Sequence, residues 1–303
     1  MFNYFAYGLG IASNVAIPEF AVAAAASDVE IILDPNFVSQ DVVIEETIQL
    51  TIKITHSKSY VFDRLVGTFY IEDGNKVVVV PAPNASIEQV RIYIVGTIMA
   101  IILYQRGLLV MHASSVVIDG KAVIFVGRSG GGKSAIAAAL NQKGYPLVSD
   151  DAVPVDLTSA IPLVYPGFGQ YKLSEATAEV LGHQSNALLN RDVENRGFIN
   201  CQKFSTQSLP ISQVYILEKD SPQEIVPIRP REVITQLLCY LIPTIWGMSQ
   251  TPAQFFQCSK IAQTTPFYTL HRGDDISALP QLADLVENHV RVTAIAPKPV
   301  ALR

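Results

Sequence analysis

The stretch Gly127-Arg128-Ser129-Gly130-Gly131-Gly132-Lys133-Ser134 decides the reading of this chain. It meets the phosphate-loop pattern G-x-x-x-x-G-K-[ST] at every fixed position. The apolar, β-branched run Ala122-Val123-Ile124-Phe125-Val126 leads into it, and the helix-forming run Ala135 to Leu140 leads out. Phosphate binding needs that strand–loop–helix order. Glycines let successive backbone N–H groups curl around phosphate oxygens, and the helix N-terminus adds partial positive charge. In such a loop Gly127, Arg128, Ser129, Gly130, Gly131 and Gly132 cradle the phosphates, Lys133 bridges the β- and γ-phosphates, and Ser134 ligates Mg²⁺. The octamer predicts binding of a nucleoside triphosphate. A glycine-rich turn with no ligand is the plainer alternative, and the flanking elements make it the weaker one.

Reaction chemistry needs more than the loop: a further metal ligand and a group that positions or deprotonates the nucleophile. Downstream, Pro146-Leu147-Val148-Ser149 reads as a short strand carrying Asp150 and Asp151 at its end. Neighbouring strand residues point opposite ways, so both aspartates can serve one site only if the strand stops there. The other reading is one magnesium-ligating aspartate beside a solvated neighbour. Upstream, Val110 to Ile118 reads as a strand, with Asp119-Gly120 turning it into Ala122–Val126. That hairpin brings His112 towards the beginning of the loop. A lone histidine on an apolar strand is more often a core residue, so His112 counts only as part of the group.

Composition bounds the rest. With 303 residues, 49% hydrophobic and only 16% charged, the chain has material for a sizeable core and two modest domains. A net charge of −5 argues against a nucleic-acid partner and gives no hint of an anionic membrane surface. Cys201, Cys239 and Cys258 are scattered, as suits buried thiols in a reducing cytoplasm. The first basic residue is Lys53, so the Ala21–Ala26 stretch reads poorly as a signal peptide. Ile92 to Tyr104 is the longest apolar run and falls short of the ~20 residues that span a bilayer. A cytoplasmic protein without a membrane partner is expected.

Three units follow. Residues 1–85 read as a β-rich, antiparallel module: Val29–Leu33, Thr47–Ile54 with period-two alternation, and a Gly67–Val80 hairpin turning at Glu72–Asn75. His56 lies in a polar turn and is expected to be solvated. Ser86-Ile87-Glu88-Gln89 resembles a capping box for a connecting helix over 86–107, ended by Gly107. Residues 108–303 carry the chemistry. There Glu175–Leu181 is expected as helix and Asn186–Gln207 as a polar loop, long enough to serve as a lid. Gln213–Leu217 and Phe267–Leu270 read as strands, with helices near 230–240, 252–262 and 279–289.

Met111-His112, the loop Gly127–Ser134 and Gly144-Tyr145-Pro146-Leu147-Val148-Ser149-Asp150-Asp151 together resemble the C-terminal catalytic domain of HPr kinase/phosphorylase, in the same order and spacing. The layout is similar to stand-alone HPr-kinase-like proteins, some encoded beside lasso or other ribosomally made peptides. The resemblance implies an α/β fold with a P-loop kinase core of the HPr-kinase type, using ATP and Mg²⁺. It implies catalytic roles for Lys133, Asp150 and His112, with Asp150 as base, His112 orienting an aspartate, and Ser134 and Asp151 on the metal. The implied reaction is phosphorylation of a serine in a peptide or small protein. The family forms hexamers, so a homo-oligomer is an open expectation. Glu194-Asn195-Arg196-Gly197 echoes the family's Glu-x-Arg-Gly segment but lies farther downstream, which makes reversal by phosphate less expected. Arg191, Arg196 and Lys203 are the nearby cations. A small-molecule kinase for a free hydroxy-amino acid and a non-catalytic nucleotide sensor are the alternatives. A sensor needs the loop alone.

Overall fold

A computed structural model describes residues 1–24, 26–39, 49–184, 189, 196–220 and 222–295. Its first ten residues show how the chain builds sheets. Phe2–Ala6 (β1) and Leu9–Ser13 (β2) pair antiparallel around Tyr7 and Gly8. Both turn residues are left-handed, φ 57° and 75°, the backbone twist that tight hairpins favour. There follow β3 (Ala21–Val22), β4 (Val29–Leu33), β5 (Leu50–Lys53), β6 (Lys58–Asp63), β7 (Gly67–Glu72) and β8 (Lys76–Pro81). Among the described residues they form one eight-stranded sheet in the order β3-β1-β2-β4-β8-β7-β6-β5.

The sheet is mixed rather than antiparallel, because β4 runs parallel to both β2 and β8. The β7–β8 hairpin turns at Asp73-Gly74, as its sequence implies. Of the run Thr47–Ile54, β5 covers Leu50–Lys53, while Thr47 and Ile48 lie outside the described residues. His56 is exposed and stacks on Tyr104, ring centroids 4.9 Å apart.

Helix α1 (Ile87–Gln105) joins this sheet to the next. Ser86 and Gln89 cap it reciprocally, the capping box expected from the sequence. It is 19 residues long, so the apolar run belongs to a helix that, by length and composition alone, is long enough to cross a membrane. Here Ile94, Val95, Ile98 and every residue from Met99 to Tyr104 are buried inside the protein. Midway the helix opens into a π-turn, Ile94–Ile98.

The remaining strands are β9 (Leu109–Met111), β10 (Ala113–Ile118), β11 (Lys121–Val126), β12 (Leu147–Asp150), β13 (Val153–Asp156), β14 (Leu163–Val164), β15 (Gln170–Leu173), β16 (Gly197–Asn200), β17 (Leu209–Glu218), β18 (Glu224–Pro227) and β19 (Phe267–His271). The helices are α2 (Lys133–Gln142), α3 (Glu175–Val180), α4 (Pro230–Leu238), α5 (Ile242–Ile245), α6 (Pro252–Thr264) and α7 (Leu279–Ile295). The second sheet runs β12-β10-β11-β17-β14-β13-β9, with β19 and then β18 added beside β17. β11, β17 and β19 are mutually parallel neighbours, while β10 is antiparallel to β11 and β12.

Alternation along β11 sorts the core. Val123 and Phe125 pack under α2 and α7, whereas Ile124 and Val126 face α4 and α6. Burying each such side chain contributes roughly 1.5–3 kcal/mol, so the strand feeding the glycine loop is anchored from both faces. The molecule is a mixed α/β protein with several sheets.

Two further sequence expectations need correction. The strand expected over Val110–Ile118 breaks at His112: β9 pairs with β13, β10 pairs with β11 and β12, and the His112 N–H donates to Tyr240 O at 2.9 Å. The segment Asn186–Gln207 is not all loop, because β16 pairs with β15. Arg191, Glu194 and Asn195 lie outside the described residues.

Candidate functional site

β11 ends at Val126 and the chain turns through the glycines into α2. The geometry explains their identity. A Cβ on Gly131 would sit 2.8 Å from Arg128 O, and Gly132, the N-cap of α2, has φ 96°. Neither position tolerates a side chain without strain. Lys133 is only 6% exposed. Its ammonium donates to the carbonyls of Gly127 (3.0 Å) and Arg128 (2.9 Å), folded onto the loop it would serve. Burial lowers its pKa to about 8.

The two aspartates share one end of the sheet because the strand stops between them. β12 ends at Asp150, and Asp151 adopts φ 69°, a left-handed conformation that aspartate accepts more readily than most residues. Their environments then diverge. Asp150 is 5% exposed. One of its oxygens accepts from the Ser114 hydroxyl and the other from the Lys172 backbone N–H at 2.9 Å. Burial pushes its carboxyl up, opposed by Ser114, by that N–H and by a contact with Ser134.

Asp151 keeps 37% of its side chain exposed. Oδ1 lies 3.3 Å from His112 Nδ1, and Oδ2 lies 3.3 Å from the Lys172 ammonium. Burial pushes this carboxyl up as well, but Lys172 and His112 outweigh it and hold it well below the usual carboxylate range. His112 Nδ1 also lies 3.1 Å from Asp151 O, so the ring clamps this residue at backbone and side chain.

Three cavities adjoin the loop. One of about 920 Å³ is lined by Gly127, Arg128, His112, Asp151, Lys172 and Arg196, among others. A second of about 120 Å³ lies against Gly130, Gly132, Lys133, Ser134 and Asp151. A third of about 230 Å³ is shared by Gly130, Gly132, Lys219, Arg272 and Asp274. Asp151 lines the first two, whereas Asp150 lines none of the three. Every residue proposed for the site from sequence, from His112 through Gly127–Ser134 to Asp150 and Asp151, thus falls at one end of the second sheet. Lys203 instead lies beside Gly144, at the far end of α2.

Two residues at this end carried no sequence signal. Lys172 touches both aspartates, one through its backbone and one through its ammonium, and it lies 5.3 Å from the centroid of the Phe198 ring. Arg272 packs along the loop, 3.4 Å from where a Gly132 Cβ would be, with its Nε buried and unbonded among the described residues. Neither belongs to a local motif. Each arrives from a strand distant in sequence.

Behind the aspartates stands the β1–β2 turn. Tyr7 is buried, its N–H donates to Pro166 O at 2.8 Å, and its hydroxyl meets the Ser149 side chain. Gly8 packs against the Tyr165 ring.

Among the described residues no group of three or more His, Cys, Asp or Glu is arranged to hold a metal ion by itself. The oxygen donors near the loop, Ser134 and the carboxylates, fit a hard cation such as Mg²⁺, which usually takes one or two carboxylates and completes its shell with phosphates and water. The three cysteines are free, and Cys239 is exposed rather than buried.

No family model matches the chain, and no curated protein matches it. Among solved structures it is similar to the Hpr(Ser) kinase/phosphatase from Coxiella burnetii, with 16% identity and a TM-score of 0.35 over 62% of this chain and 99% of that one. A score that low lends no weight to any residue of the site, which stands on its own geometry.

Proposed function

We propose that this chain is an ATP-dependent phosphotransferase with a P-loop kinase core of the HPr-kinase type, acting on a serine hydroxyl of a peptide or small protein in the cytoplasm. The observation that carries this reading is the unequal pair of aspartates facing the glycine loop. A nucleotide sensor has no use for an ionised, partly open carboxylate clamped by His112 and Lys172 beside the loop.

The same inequality exchanges the two roles implied by the resemblance. Asp151 lines the cavities, is ionised and is held in position, which suits the base. Asp150 is buried and contacts Ser134, which suits the metal side. Ser134 and Asp150 would hold Mg²⁺, which supplies charge neutralisation at the phosphates when bound. The loop amides and Lys133 bind the donor, and Lys133 leaves the Gly127 and Arg128 carbonyls to do so.

In the transfer, the serine oxygen forms a bond to the γ-phosphorus and the bond from that phosphorus to the β–γ bridging oxygen breaks. The hydroxyl proton passes to Asp151. A carboxylate of low basicity accepts that proton late, as a loose phosphoryl transition state requires. Lys172 and Arg196 lie where they can meet the charge on the moving group.

Incubation with γ-labelled ATP, Mg²⁺ and a lysate of the source organism tests the reading. Label is expected on polypeptide serine with the wild type and absent with Lys133→Ala and Asp151→Asn. Tight ATP binding without any transfer retires it.

A further inference from the structure

The largest cavity at the loop is also the least explained by nucleotide binding. Two chemistries line it. Lys172, paired with Asp151 at 3.3 Å, lines it together with Arg128 and Arg196, with Glu218 as the second anion. The rest of its lining includes an uncharged, largely apolar wall: Tyr240, Ile242, Ile245 and Trp246 on one side, and Ala100 on α1. The His112 N–H bond to Tyr240 O fixes that wall directly beside the clamped aspartate. Ile245 remains 44% exposed, an apolar side chain at the cavity left partly uncovered.

The facing side is shaped by the π-turn of α1. It buries Ile94, Val95 and Ile98 and leaves Gly96 and Thr97 at the cavity. A Cβ on Gly96 would meet Asp151 Oδ2 at 3.8 Å. Glycine is among the poorest residues for a helix interior, and π-turns often mark functional sites. Together they keep space open at the carboxylate that does the chemistry.

We propose that this cavity is the acceptor subsite, and that it takes a peptide segment whose serine reaches Asp151 while a bulky apolar side chain next to that serine rests on Ile245 and Trp246. The assignment rests on the phosphotransferase reading above. Size and charge select this occupant. About 920 Å³ lies near the top of the range for ligand pockets, far more than a free hydroxy-amino acid fills. Three cations line the cavity together with Asp151, whereas Tyr240, Ile242, Ile245 and Trp246 offer no charge for a charged neighbour to pair with.

Trp246 is the only tryptophan of the chain and reports on its own pocket. Its fluorescence is to be followed in the full chain with Mg-ATP absent, titrating N-acetyl-Leu-Ser-Leu-amide against N-acetyl-Gly-Ser-Gly-amide. Burial of one leucine predicts at least roughly tenfold tighter binding of the leucyl peptide. Ile245→Asp, at an exposed position, and Thr97→Phe, which pushes a ring into the cavity beside Gly96, are each expected to reduce that preference to within about twofold, with Mg-ATP affinity unchanged. Equal binding of the two peptides, binding of neither, or a preference that survives both substitutions overturns the subsite. Label transfer from ATP is scored separately. Leucyl-peptide binding without transfer upholds the pocket and sinks the phosphotransferase reading. Equal transfer to both peptides does the reverse.

Discussion

The two large sheets of this molecule handle their polar groups in opposite ways. The first, over residues 2–81, buries mainly apolar side chains, with Ser13, Ser59 and Thr68 as polar exceptions, and among the described residues meets the site through the Tyr7–Gly8 turn and the helix that follows the sheet. The second ends in a cluster of buried or half-buried Lys133, Asp150, Asp151, Lys172 and His112. Burying charge is costly unless it is paired, and here Asp151 pairs with Lys172 and His112 while the Lys133 ammonium donates to backbone carbonyls of the loop. The lesson is a division of labour: one sheet supplies rigidity, and the other spends part of it on a reactive arrangement.

The largest expected effect breaks the comparison on the reactive side. Asp151→Asn keeps a residue that tolerates φ 69° and removes the proposed base, so transfer should fall by about 10²–10⁴-fold, and the urea midpoint should fall as well because the ion pairs with Lys172 and His112 are lost. Rapid-quench transfer assays alongside unfolding curves would check both halves. A wild-type rate would return the base role to Asp150.

Tyr7→Ala strikes the rigid side and should cost about 3–5 kcal/mol, as other buried aromatic truncations do. Urea denaturation measures it, and Tyr7→Phe should cost less than ~1.5 kcal/mol. Should Tyr7→Ala leave stability intact while abolishing transfer, the division of labour would be wrong.

Lys133 sharpens the contrast through pH. Its folded pKa of about 8 lies below the ordinary lysine value of 10.5, so between these values the unfolded chain binds more protons and stability rises with pH. Below pH 8 the full penalty is present. Lys133→Met should therefore stabilise the protein at pH 7 by on the order of 3 kcal/mol while abolishing transfer. That gain should shrink as pH climbs from 8 to 10.5. Thermal melts across this range would show the convergence, and a pH-independent difference would contradict it.

The smallest effect concerns the edge of the loop. Arg272→Gln should weaken Mg-ATP binding by roughly tenfold, the scale of one charge-assisted hydrogen bond, readable by calorimetry. Unaltered affinity would assign Arg272 to packing alone.

Much of the reactive side was legible because it is local. The glycine loop, the β10–β11 hairpin and the Ser86 capping box each declare themselves within a few residues. The paired aspartates raised a local question, whether the strand ends there, and the left-handed Asp151 answers it. What stayed hidden is non-local. The parallel insertion of β17 beside β11, the arrival of Lys172 and Arg272, and the break at His112 depend on partners far away in the chain. Tyr7 escaped notice for the same reason: a tyrosine in a turn carries no mark of what it will be pressed against.

That turn has a consequence for the order in which the site is made. Translation releases Tyr7 well before its partners Ser149 and Pro166, and β17, the parallel neighbour of the loop strand, emerges later still. Domains tend to fold as units during synthesis. A nascent chain arrested before Leu209 would hold the finished turn and nothing complete for it to brace, so the site on the ribosome should be complete only once β17 has cleared the exit tunnel.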